Sequence, residues 1–135
     1  MLDRMLTSPK RQLRVRQVMD KGQVLIANVA KGRIGDDSSS LLGGLLVTTI
    51  GLAAYTRADI PSAQRRDFFV YIDEFQSFTT LALANMLSEL RKYRVGFTIA
   101  HQYLQLSPEI SNIGTIISFR VGAQDASYLA RGIPR

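Results

Sequence analysis

Apolar positions along this chain alternate between short continuous runs and longer stretches spaced at three and four, a pattern that predicts strands interleaved with helices. Residues 23–29 hold Val24, Leu25, Ile26 and Ala27 with no polar residue among them, so a strand covered on both faces is expected there. Residues 68–72 (FFVYI), 95–100 and 114–121 read as strands in the same way. Asp36, Asp37, Ser38, Ser39 and Ser40 offer N-caps for a helix running from near Leu41 to near Arg57, before Pro61. Thr79 and Thr80 precede a second helix that reaches about Tyr93, with Leu83, Met86, Leu87 and Leu90 on one face. Residues 125–130 form a short closing helix, and 31–35 (KGRIG) a loop. Strands alternating with helices imply an α/β fold, with a mainly parallel sheet and helices on both faces. Ligands of such sheets sit beyond the carboxyl ends of the strands, where Asp73, Glu74, His101 and Gln102 fall.

Composition narrows the chemistry. With 135 residues and 46% hydrophobic positions the chain is one domain's worth with one core, here residues 23–135, preceded by a basic arm over 1–22. It has no cysteine and one histidine, His101, which excludes disulfides and thiolate catalysis and disfavours a zinc site. Its net charge is +6, and the first 21 residues carry six cations against Asp3 and Asp20. Arg11, Arg14 and Arg16 in that stretch suit contact with the phosphate backbone of DNA. The competing reading buries Leu13, Val15 and Val18 on one face of a strand and leaves the arginines to solvent. Residues 41–55 are uncharged but shorter than a membrane span requires, so they read as a buried helix, with no transmembrane segment expected. Arg14 and Arg16 interrupt the apolar core that a signal peptide would need, and a cytoplasmic setting is expected, at the inner face of the membrane through partners.

The strand 68–72 delivers two adjacent carboxylates, Asp73 and Glu74, in the form of a Walker B element. There the first acid stands on the Mg²⁺ side and the second orients and deprotonates the water that attacks a γ-phosphate. Gln102, at the tip of the next strand with one helix between, is placed to bond the γ-phosphate or the water as a neutral amide. His101 beside it reads as a packing or capping residue. Arg91, in the cluster RKYR at the end of that helix, either complements the helix dipole or acts as an arginine finger in a neighbouring subunit's site. Arg120, inside an apolar run, needs an acidic partner, a ligand or a solvent-facing edge. No G-x-x-x-x-G-K-[ST] loop occurs, and KGRIG lacks its ending.

Residues 23–35 (QVLIANVAKGRIG), the helix entry SLLG at 40–43, YIDEFQ at 71–76, LSELRKY at 87–93, AHQ at 100–102 and SFRVG at 118–122 together resemble the C-terminal portion of conjugative coupling-protein ATPases. These are the TraG/TraD-type motors of type IV secretion, in the HerA–FtsK branch of P-loop ATPases. The resemblance spans roughly residues 12–130 and lacks the P-loop half. It implies a partial RecA-like domain, ATP and Mg²⁺ as cofactors, and part of a DNA-translocating motor that is inactive alone. It assigns Asp73 to the metal, Glu74 and Gln102 to ATP and its hydrolysis, and Arg91 to the finger. Implied partners are DNA, a homo-oligomeric ring or a complementary P-loop-bearing subunit, and secretion-system components. The alternative is a non-catalytic ATPase remnant that binds DNA or a secretion partner. The interval from Leu106 to Gly114 is shorter than the family's usual helix and loop, which bears on the last strand. A receiver-type domain fits less well, because Val29 and Val121 end their runs without an aspartate.

Overall fold

The computed structural model describes residues 13–78, 81–100, 102 and 114–132. Its helices are α1 (Val15–Lys21), α2 (Lys31–Ile34), α3 (Asp36–Tyr55), α4 (Leu81–Leu90) and α5 (Ala123–Gly132). Strands β1 (Phe68–Ile72) and β2 (Val95–Ile99) pair in parallel, with Phe68 beside Val95 and Ile72 beside Ile99. The class is therefore mixed α/β, with a two-stranded sheet among the described residues.

Both strands were legible because β-branched and aromatic residues dominate two short runs between polar stops, Gly96 alone interrupting the second. The intervening crossover, through a short helical turn at Phe75–Ser77 and then α4, is what parallel pairing demands. One sheet face is packed. Phe68, Val70 and Phe97 meet a cluster of Val15, Met19, Ile50, Ala54, Leu90 and Val95, which joins α1, α3 and α4 to the sheet. Nearer the strand ends, Val47 and Phe75 are buried with Ile72, Leu87 and Ile99 around them.

Helix α3 begins five residues earlier than expected. Asp36 and Asp37 occupy its first turn, where carboxylates complement the positive end of the dipole, instead of standing outside as caps. At 20 residues it is longer than the stretch read from the sequence, and the span Asp36–Asp59 is long and apolar enough to cross a membrane. Gly43, Val47, Ile50, Gly51 and Ala54 nevertheless form a buried stripe along it, against α4 and the sheet. A Cβ on Gly43 would collide with the Phe78 ring, and one on Gly51 with the Met86 sulfur. Phe78 is itself buried, so Gly43→Ala is expected to lower stability by about 1–3 kcal/mol through overpacking, outweighing the better helix propensity of alanine. Urea unfolding of the variant measures this, and an unchanged or raised midpoint would contradict the close approach.

The stretch 13–22, expected as part of a free arm or a strand, is instead a docked helix. Val15 and Met19, four residues apart, are buried, and Gly22 closes the helix at φ 63° with Gln23 N–H donating to Val18 O at 2.9 Å. The same helix also meets a buried cation through Asp20. Arg57, fully buried, donates to Tyr93 O at 3.0 Å and Arg66 O at 2.6 Å and lies 3.2 Å from an Asp20 oxygen. Burial pushes its guanidinium pKa down, and Asp20 partly offsets this. Because Tyr93 and Arg66 precede β2 and β1, one side chain fixes the entry of both strands.

Three expectations fail, for one physical reason. Residues 23–29 and 114–121 form no strand, and the sheet carries helices on one face rather than both among the described residues. Val24 and Ile26 are 87% and 88% exposed, and Ile117 and Phe119 are 78% and 89% exposed. Strand propensity yields a strand only where a neighbour supplies the ladder, and neither segment finds one. Within β1, Phe69 and Tyr71 alternate outward at 64% and 75% exposure, so the apolar run that predicted two covered faces has one bare face. Residues 31–34, expected as loop, make the single turn α2.

Candidate functional site

The site lies where β1 and β2 end. Ala100 N–H donates to Ile72 O at 2.8 Å, and Phe75 N–H donates to Ala100 O at 3.2 Å. This continues the ladder past both strands and turns the chain after β1 over the tip of β2. Between these bonds Glu74 adopts left-handed backbone angles, φ 54° and ψ 40°. A non-glycine residue held there stores about 1 kcal/mol or more of strain, and such residues concentrate at working sites.

The turn aims the Glu74 carboxylate at two amides. Gln102 Nε2 donates to Glu74 Oε1 from the end of β2, and Gln76 Nε2 donates to Oε2 at 2.5 Å from two residues on. Asp73 is exposed, and its Oδ1 accepts the Glu74 N–H at 2.9 Å. The structure therefore brings together Asp73, Glu74 and Gln102. It adds Gln76, which was visible only as a polar residue following the acid pair. The signal that could have revealed it is the i, i+2 spacing across a strand-ending turn, where a side chain can reach back to its neighbour.

Arg91 is not brought to this site by its own chain. It opens the helical turn Arg91–Tyr93 before β2, at the end of the sheet opposite Glu74, and five strand residues at about 3.3 Å each separate the two levels. Arg91, Lys92 and Arg94 instead line a shallow pocket with Asp67, Phe69 and Gly96. Lys92 pairs with Glu89 at 3.2 Å and Arg94 with Asp67 at 3.1 Å, while Arg91 has no ion pair among the described residues. Arg91 is thus out of reach of its own chain's Glu74, and it ends the helix where a cation complements the dipole.

The basic residues of the amino-terminal stretch separate. Arg11 lies outside the described residues. Arg14 precedes α1 and is exposed. Arg16 is held by Asp20 at 2.8 Å, by Asp59 at 2.7 Å and by Thr56 O, and its carboxylate hydrogen bonds raise its pKa. Arg16 thus serves to dock α1 on the end of α3, and a phosphate would have to displace those partners. Arg120 is exposed, which answers how it is tolerated in an apolar run. His101 and the interval 103–113 lie outside the described residues.

Chemically, the arrangement offers an exposed carboxylate, a second carboxylate oriented by two amides and, among the described residues, no cradle for phosphates. Among the described residues no three His, Cys, Asp or Glu side chains converge on a point. Compared with known proteins, the chain matches no protein family, no curated protein and no solved structure.

Proposed function

We propose that this chain is the Walker B portion of a RecA-like ATPase domain, part of a DNA-translocating motor of the conjugative type IV secretion kind, and silent as an ATPase by itself. The observation that carries the reading is the Glu74–Gln102 contact across the ends of two adjacent parallel strands, with Asp73 exposed alongside. A water-polarising acid beside a neutral amide is the pairing that hydrolysis of a γ-phosphate uses. DNA as the substrate moved, and secretion components at the membrane's inner face as partners, come from the resemblance of the segments quoted above.

The residues present fit one half of what Mg²⁺ and ATP need. Mg²⁺ sites of this type combine one or two carboxylates with substrate phosphates, and Asp73 supplies a hard oxygen in reach of solvent. The phosphate end is unmet, because no glycine-rich loop with its lysine occurs in the sequence. A P-loop from a larger reading frame of which this chain is a fragment, from a complementary subunit or from a ring neighbour would complete it. When bound there, Mg²⁺·ATP supplies the electrophilic γ-phosphate. Glu74 then positions and deprotonates the attacking water, and Gln102 holds Glu74 in line.

Steady-state phosphate release from the purified chain, with Asp73→Ala as control, tests this. The expected result is background release from both proteins. Robust turnover that the substitution abolishes would reveal a complete nucleotide site and end the half-site reading. A second reading, a remnant that binds DNA or a secretion partner without hydrolysis, draws on the bare face of Phe69 and Tyr71. It predicts no turnover even when a P-loop is supplied.

A further inference from the structure

The amino end of the sheet is strongly basic. Lys21 ends α1, and the Arg66 guanidinium lies against the Cα of Gly22, the next residue. Arg65 reaches across to the turn before β2, where its guanidinium donates to Lys92 O at 2.7 Å and stands over the Tyr93 ring. Arg91 and Lys92 belong to that turn, and Arg94 closes it beside the start of β1, its carbonyl accepting from Phe68 N–H at 2.9 Å. Six cations thus run in one row from the end of α1 across the entries of both strands.

The carboxylates of this end do not balance the row. Lys92 is paired with Glu89, Arg94 with Asp67, and Asp20 is taken by Arg57 and Arg16. Lys21, Arg65, Arg66 and Arg91 are left with no carboxylate partner among the described residues. Arg65 is tied to three carbonyls, those of Arg57, Ile60 and Lys92, which leave its charge uncancelled. Lys21, Arg66 and Arg91 are exposed. The mount is rigid, because the buried Arg57 donates to both Arg66 O and Tyr93 O and so fixes the two stretches that carry the cations. Like charges held side by side repel, and a bound polyanion removes that cost.

We propose that this row is the seat of a DNA phosphate backbone. A row suits a linear polyanion, and three of its four unpartnered cations are arginines, whose planar fork meets a phosphate with two parallel hydrogen bonds. Contacts of this kind position the nucleic acid without reading its sequence. The contact is therefore moved from Arg16, which Asp20 and Asp59 already hold, to the entries of the two strands. The inference rests on the placement of charge and not on hydrolysis. It is measured without nucleotide, so its failure and that of the half-site reading are distinguishable.

Fluorescence anisotropy of the full chain with two short labelled duplexes of unrelated sequence, across a series of salt concentrations, tests it. Each phosphate neutralised contributes about −0.9 to the slope of log affinity against log salt. The three exposed cations alone then give a loss of about forty-fold between about 50 and 200 mM salt, equal for both sequences. Lys21→Ala, Arg66→Ala and Arg91→Ala together should flatten the slope by about 2.7. Arg66→Lys with Arg91→Lys should keep it, because counterion release counts charges, whereas a loss caused by damaged packing would not be restored. No binding to either duplex, an unchanged slope in the alanine variant, a preference for one sequence, or binding to phosphatidylserine vesicles in place of DNA would each overturn the proposal.

Discussion

Arg57→Leu is expected to destabilise the fold by about 2–6 kcal/mol, the cost of leaving two carbonyls in the packed interior without their donor at about 1–3 kcal/mol each. The guanidinium is fully buried and bonded to two carbonyls that precede the two strands, Tyr93 O and Arg66 O. Leucine leaves both acceptors without that donor and takes the opposing charge from Asp20, which keeps only Arg16. Lysine does not rescue, because a single ammonium cannot span Asp20 and two separated carbonyls as a planar fork does. A typical domain has about 5–15 kcal/mol in total, so a large share of the stability is at stake. Urea unfolding followed by circular dichroism gives the number. A loss under about 1 kcal/mol would mean that the strand entries are set by apolar packing alone.

The second large effect is on chemistry. Joined to a P-loop-bearing half domain, the chain should turn over ATP, and Glu74→Gln should cut that turnover by about 10²–10⁴-fold, the usual contribution of a general base. Glutamine keeps the size and one acceptor oxygen, so the bond from one amide survives. The other amide, Gln76 or Gln102, then faces an NH₂ group instead of an oxygen. Nucleotide affinity should be retained, because Glu74 does not hold phosphate. An unchanged rate would assign Glu74 to shaping the turn.

Much of this site was legible in the sequence. A strand of aromatic and β-branched residues must end, and Asp73 and Glu74 mark where. Gln102 was legible because one crossover helix fixes which strand tip lies next to β1, and Ile72 does stand beside Ile99. What the sequence could not convey were matters of partnership. Arg57 closes an apolar helix and looks like a solvated end, because its burial depends on Asp20 and two distant carbonyls. The stretch 13–22 read as an arm, although Val15, Val18 and Met19 have helical spacing and Arg16 stands four residues before Asp20. Residues 23–29 and 114–121 have strand composition without a ladder, and composition does not say whether a neighbour is present. Arg91 was placed correctly in the chain, but only the sheet shows that it stands at the wrong end for its own Glu74.

The contact between Glu74 and Gln102 carries the account, and a double-mutant cycle on turnover tests it most directly. In the P-loop-joined protein, phosphate release would be measured for Glu74→Gln, Gln102→Ala and the two together. If Gln102 acts by holding Glu74 in line, its removal should slow turnover in the parent and add little once the carboxylate is gone, so the double variant should match Glu74→Gln. Effects that multiply, or a Gln102→Ala protein as fast as the parent, would contradict the claim that these two strand ends form one hydrolytic site.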